Sequence, residues 1–229
     1  EKKSIKRSLG IEQKEWENKI LHTLKNAPKW EVFDVGTFSA TGGSSYIVNQ
    51  DQSVLVHGKN PDISTYSIII KDTKLDRISS VRLEALLDAS MKKNGPGRNF
   101  GMPENPNFVL NEFSLKVNGV KVFFSDAKAS FSQEKFDVLG AVDNDVKSGW
   151  AINPQFGKAQ QAVFTLKQDL VLNKGDILQF QLVQHHGGGR TIGRLRLSGI
   201  KGDHFTVNLP TEIQSILLIN NRNDDQVNK

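Results

Sequence analysis

A chain of 229 residues with 37% hydrophobic content, three Trp and two Tyr has the make-up of an ordinary globule, long enough for one large all-β domain with appendages or for two small domains. It has no cysteine, which excludes disulfides, thiolate zinc sites and a CxxCH haem attachment, so no haem is expected in this chain. The formal net charge of +5 and a pI near 9.3 favour acidic partners such as anionic glycans, nucleic acid or a membrane surface, but the excess is modest and spread along the chain.

No apolar run approaches the roughly 18 to 20 residues of a transmembrane helix, and no signal peptide precedes the start at EKKSIKRSLG, which reads as a mature or excised fragment. Trp16, Ile20, Leu21 and Leu24 recur at helical spacing, so the first segment, 1–28, is expected to hold one amphipathic helix over Ile11 to Asn26, ended by Pro28. From Trp30 the period changes to two. Glu31 to Val35, Ser45 to Asn49, Ser53 to His57, Tyr66 to Lys71 and Ile78 to Leu87 read as strands, separated by Gly42-Gly43, Asp51-Gln52 and Asn60-Pro61-Asp62. Ser90 to Pro106, with Asn94-Gly95-Pro96-Gly97-Arg98, shows no periodicity and is the longest loop, and long loops on compact scaffolds are often functional.

Phe108, Leu110, Phe113 and Leu115, then Asn118-Gly119, then Val120, Val122 and Phe124 spell a strand, a two-residue turn and a returning strand. Ala162 to Leu166, Ile177 to Gln184 and Arg194 to Gly199 follow as strands, with a His185-His186-Gly187-Gly188-Gly189-Arg190 loop between the last two. The all-β body is expected over 29–207, and 208–229 is expected to form a short helix and a polar tail. The pattern predicts an antiparallel β-sandwich with flanking terminal helices.

Ala141, Asp143, Asp145, Ser148 and Trp150, preceded by Ala127, Ala129, Ser130 and Ser132, resemble the A-x-D-G-x-x-x-T-x-W pattern of discoidin-type, galactose-binding-like jelly-roll sandwiches. Over about Trp30 to Ser198, VRLEAL at 81 to 86, NGPGR at 94 to 98, NFVLNEF at 107 to 113, GWAINP at 149 to 154 and IGRLRLS at 192 to 198 are similar to a sandwich module of large secreted planctomycete-type cytochrome c proteins. The resemblance implies a carbohydrate-binding module rather than the haem-carrying part. It also implies a secreted, periplasmic or cell-surface setting and neighbouring domains in the same polypeptide. A fold by itself hosts many functions.

Asp143, Asn144 and Asp145 offer hard oxygen donors for Ca²⁺, and the resemblance implies a structural calcium at the matching turn; the competing reading is an Asx-type turn without metal. Asn144 stands where that pattern has Gly, and both tolerate a left-handed turn. A sugar site needs a ring face together with directional polar groups. Arg98, Asn99, His185, His186, Arg190 and Arg194 supply the polar half, and Trp150, Phe100 or Tyr66 the ring, with a core role as the alternative for Trp150. Arg190, Arg194 and Arg196 suit bidentate recognition of carboxylate or sulfate groups.

Nucleophile elbows, HExxH, Walker A loops and Rossmann fingerprints are absent, and adjacent histidines on a strand point to opposite faces, so no enzyme is expected. Nor is nucleic-acid binding, since no helix-turn-helix, RNP or zinc-finger pattern accompanies the basic residues, and no membrane insertion is expected. The sequence therefore predicts a non-catalytic module for an anionic, possibly algal, polysaccharide within a larger secreted protein, the alternative being a spacer or docking module.

Overall fold

Alternation of inward apolar and outward polar side chains decides which segments pair. In Ser64–Asp72 the residues Tyr66, Ile68 and Ile70 point inward, and in Leu178–Gln184 so do Leu178, Phe180 and Leu182, the two-residue period of a half-buried strand. A computed structural model describes residues 13–18, 28–99, 105–202 and 219. Residues 13–18 are helical; the remainder of the expected N-terminal helix before Ala27 and the helix expected after Pro210 lie outside the described residues.

Trp30–Gly202 forms one compact unit with fourteen strands: β1 (Glu31–Val32), β2 (Asp34–Ala40), β3 (Ser45–Val48), β4 (Val54–His57), β5 (Ser64–Asp72), β6 (Arg77–Ala85), β7 (Val109–Leu110), β8 (Glu112–Val117), β9 (Val120–Val122), β10 (Phe124–Ala129), β11 (Trp150–Ala151), β12 (Gln160–Val171), β13 (Leu178–Gln184) and β14 (Arg194–Ile200). One sheet runs β10-β12-β6-β14-β4-β3, with β1 also on β14. A second runs β2-β5-β13-β8-β9, and β11 pairs with β7 in a short ribbon. Every pairing is antiparallel, giving the expected all-β sandwich. Asn118 (φ 51°) and Gly119 (φ 82°) make the two-residue turn that joins β8 to β9, the geometry an Asn-Gly pair favours.

The two sheets meet through aromatic rings. Phe113 on β8 packs against Phe164 on β12 at 4.3 Å between centroids, Phe124 on β10 at 5.7 Å and its own neighbour Phe180 on β13 at 5.8 Å. All but Phe124 are fully buried, and burial of this size supplies most of the stabilising free energy of such a fold.

The outer face of the larger sheet carries a chain of alternating charges. Arg196 donates to Glu84 at 2.8 Å and reaches Asp51 at 3.4 Å; Arg194 binds Asp51 at 3.0 Å and Asp88 at 3.6 Å. Arg82 lies 3.7 Å from Glu84, with its guanidinium 4.8 Å from the Trp30 ring centroid. Burial raises the Asp51 carboxyl, but hydrogen bonds from Ser53 and the charges of Arg194 and Arg196 outweigh it and hold the group below the ordinary carboxylate range. Hydrogen bonding from Ser90, against burial and with Arg194 nearby, does the same for Asp88.

A carboxyl depressed in the folded state binds fewer protons there than in the unfolded chain, so its stabilisation is present above the unfolded value and lost as pH falls through the folded one. Urea titrations should therefore show stability dropping below about pH 4. Asp51→Asn should flatten part of that slope and leave the neutral-pH spectrum of the fold unchanged.

Candidate functional site

The loops after β4, β6 and β13 meet at one end of the sandwich, where the backbone has no strand partner to satisfy it. Gly97 bridges to Ile192, Arg98 N–H donates to Thr191 O at 2.8 Å, and Gly193 N–H donates to Pro96 O at 2.8 Å. The approach is so close that a Cβ on Gly97 would stand 2.1 Å from Asn107 O, so no side chain fits there. Asn60 ties the three loops together: Nδ2 donates to Arg98 O at 2.8 Å and Gly189 O at 3.0 Å, while Oδ1 accepts from Thr191 Oγ1 at 3.2 Å.

Arg98 is half-buried and held in place by its own bonds. Its guanidinium donates to Ser44 Oγ at 3.3 Å, Gly58 O at 3.1 Å and Lys59 O at 3.0 Å, three of the five donors an arginine carries. Beside it opens a depression of about 630 Å³, lined among others by His57, Lys59, Asn60, Met91, Lys92 and Arg98. Among the described residues no Asp or Glu contributes to that lining. Asn99 reaches it only as wall: it is 2% exposed, and its Nδ2 donates to Asn105 O at 2.9 Å. Its role is to hold the chain at 105, which corrects the expectation that it contacts a ligand directly.

His185, His186 and Arg190 come to the same end of the sandwich but not into the depression, whose lining includes none of them. Gly187, Gly188 and Gly189 all adopt positive φ (90°, 68° and 63°), a run only glycine accepts without strain. This curl is pinned by Asp62, whose Oδ1 accepts from Gly188 N–H at 2.7 Å and whose carbonyl accepts from Gly189 N–H at 2.9 Å. The two imidazoles diverge: His185 Nε2 sits 2.9 Å from Thr65 Oγ1, whereas the His186 ring stands edge-on to Phe136 at 5.4 Å. Burial, with the Arg190 charge nearby, pushes the His186 imidazole below its usual range. Arg190 itself donates back to Gly187 O at 3.0 Å.

Two further expectations are corrected by burial and by pairing. Trp150 is 0% exposed, packs edge-on against Phe108 at 5.0 Å and donates from Nε1 to Phe131 O at 2.8 Å, so its ring is core and offers no face to a sugar. Tyr66 is equally buried, donating to Ile192 O at 3.0 Å, and Phe100 lies outside the described residues. Arg194 belongs to the charge chain on the outer sheet face, engaged by Asp51 and Asp88 instead of facing the rim. Sequence reasoning also passed over Lys59 and Lys92, since an isolated loop lysine reads as surface charge until the fold sets it beside Arg98.

The Asp143 turn is closed by hydrogen bonds of its own. Asp143 Oδ1 accepts from Asp145 N–H at 2.8 Å, its Oδ2 lies 2.8 Å from the Ser148 hydroxyl, and Asp145 Oδ1 accepts from Lys147 N–H at 2.9 Å. Asn144 takes positive φ (66°), and its Oδ1 receives the Lys121 ammonium at 2.7 Å. Calcium needs six to eight oxygens converging on one point. Here the carboxylates turn toward backbone N–H groups and a hydroxyl, and a lysine already occupies the amide oxygen, so this arrangement does not fit the ion. Among the described residues no group of three His, Cys, Asp or Glu is placed to hold a metal.

No family model and no curated protein matches the sequence. Two solved structures are similar in part: the Agl-KA catalytic domain, at 11% identity over 82% of this chain with a TM-score of 0.29, and TmCBM27, a carbohydrate-binding module with specific mannan recognition, at 10% identity over 79% of this chain and 89% of its own, also with a TM-score of 0.29. This chain spans 30% of the Agl-KA chain. At that similarity neither bears on what the chain does.

Two substitutions separate these roles. Trp150→Ala should cost about 3–5 kcal/mol in urea unfolding, the range for emptying an aromatic core position, whereas a surface platform would lose almost nothing. Asp143→Ala should cost about 1–3 kcal/mol through the lost charge-assisted hydrogen bonds. Neither EGTA nor added calcium should move the Tm of the unmodified protein.

Proposed function

We propose that the Trp30–Gly202 unit is a non-catalytic carbohydrate-binding module for an anionic polysaccharide, bound at the loop-end depression by Arg98, Lys59 and Lys92. The observation that carries this reading is the charge of the lining: three cations and a histidine with no carboxylate among the described residues. On the outer face of the larger sheet the arginines are instead paired in place, Arg82 and Arg196 with Glu84 and Arg194 with Asp51 and Asp88. An uncompensated cationic hollow of limited size suits a sulfate or carboxylate substituent on a sugar chain. A nucleic acid would call for a continuous basic track along its phosphates.

Ser90 in the same lining is a hydroxyl that can meet sugar hydroxyls, and Met91 supplies apolar contact. The same proposal sets the module beside neighbouring domains in a larger secreted protein, supported by the ordered motifs from VRLEAL to IGRLRLS.

Affinity electrophoresis against sulfated, uronate-rich and neutral polysaccharides tests it. Retention is expected on the anionic polymers, weakening with salt as exposed charges are screened over about 8–10 Å. Arg98 also holds the loop carbonyls of Gly58 and Lys59, so the diagnostic variant is Lys59→Gln with Lys92→Gln, both exposed lysines. It should bind about tenfold more weakly, a loss of about 1.4 kcal/mol, with an unchanged Tm. A folded wild-type protein that none of the anionic polymers retards, or a double variant that binds as well as wild type, sinks the proposal.

A further inference from the structure

We infer that the free edge of β3 joins two copies of this chain by antiparallel strand pairing. The four long sheet edges are unequal. β10 is interrupted by a bulge between Phe124 and Asp126 and carries the Asp126–Lys128 ion pair at 3.6 Å. β2 begins at Asp34 and has register breaks on both sides of Val35, and β9 is only three residues long with Lys121 at its centre. Bulges, charges and shortness are the devices that keep sheet edges from pairing with other chains.

β3 has none of the first two. Its four residues pair with β4 in unbroken register, Ser45 with His57 through Val48 with Val54, and among the described residues no strand pairs with its other side. Tyr46, Ile47 and Val48 are 43%, 49% and 38% exposed, three consecutive large apolar side chains on a strand edge. No charged residue occurs from Thr41 to Gln50, although 24% of the whole chain is charged.

The neutral stretch identifies the occupant. At a two-fold axis each residue meets a copy of its own strand, so a charge on the axis faces its like and one beside it lies close to its own copy. With the axis at Ile47, Tyr46 lies opposite Val48 and Ser45 opposite Asn49, giving aromatic against β-branched pairs, which stabilise sheets, and no like charges. Tyr46 is already fixed for this, its ring 5.0 Å from Phe38. A strand built to select a charged foreign peptide would carry the opposing charge, and this one carries none. Four residues span only about 14 Å of strand, well short of a standard interface, so the dimer is weak, with a Kd on the order of 100 μM.

Sedimentation velocity on the full chain between about 10 μM and about 1 mM tests this. The weight-average mass of wild type should climb from monomer toward dimer and stop there. Ile47→Lys should stay monomeric with its fold intact by circular dichroism, while Val120→Lys, at an exposed position on β9, should dimerise like wild type. Amide hydrogen exchange on wild type gives a reading independent of any variant: protection at Ser45–Val48 should increase with concentration. A chain that stays monomeric at about 1 mM, an assembly that grows past the dimer, a dimer that Ile47→Lys leaves intact, or exchange at β3 that ignores concentration would each overturn it.

Discussion

Buried side-chain amides stand in for the strand pairing that the loop end lacks, and the geometry there depends on them. Where strands give out, backbone N–H and C=O groups still need partners if water is excluded. Asn107, 6% exposed, donates to Gln133 Oε1 at 2.9 Å and accepts from Ile152 N–H at 3.0 Å. Asn111, 1% exposed, donates to Val146 O at 3.0 Å and Ser148 O at 2.9 Å and accepts from His185 N–H at 2.7 Å. Gln184 accepts from Ile192 N–H at 2.7 Å, and Asn60 joins Arg98, Gly189 and Thr191. Asn60, Asn107 and Asn111 bridge segments far apart in the chain and Gln184 closes a local loop, so the loops are set before any ligand arrives, and binding need not order them.

Charge is distributed to the same effect. On the outer sheet face every arginine of β6 and β14 that leaves the apolar core beneath it finds a carboxylate within 4 Å, because Glu84, Asp51 and Asp88 arrive from a strand and two loops around it. At the depression the loops bring Lys59, Lys92 and Arg98 together without an acid among the described residues of the lining. Coulomb attraction between exposed charges is short-ranged in salt, so the place where positive charge is left uncompensated governs where an anion settles, more than the net charge of the chain does.

The sandwich was legible because its signals are local. Alternation marks the inward side of β5, β8 and β13, and Asn118-Gly119 has one preferred turn. β10 escaped because its inward residues after Phe124 include only the small Ala127 and Ala129, and Asp126 with Lys128 gives the segment a polar look. The site was legible in part. Arg98 sits in a loop that the broken periodicity singled out. Asn99 and Trp150 have side-chain chemistry that suits a binding site and a strut equally well, and only burial separates the two. Arg194 was misread because its partners, Asp51 and Asp88, lie more than a hundred residues away in sequence, a relation no periodicity records.

The residue just before β3 touches two residues that line the basic depression, so the proposed strand pairing and the proposed binding are physically linked. Ser44, immediately before β3, donates its hydroxyl to Lys59 O at 2.8 Å and accepts from Arg98 Nη1 at 3.3 Å. The loop that presents Lys59 and the guanidinium of Arg98 are thus anchored on the residue where the β3 edge begins. A strand whose far side is unpaired frays at its ends more readily than one paired on both sides, because fewer hydrogen bonds must open. Pairing along β3 would therefore restrict Ser44 and, through its two hydrogen bonds, narrow the positions open to Arg98 and the Lys59 carbonyl. A ligand that immobilises Arg98 restricts Ser44 in turn, since coupling between two binding equilibria is reciprocal.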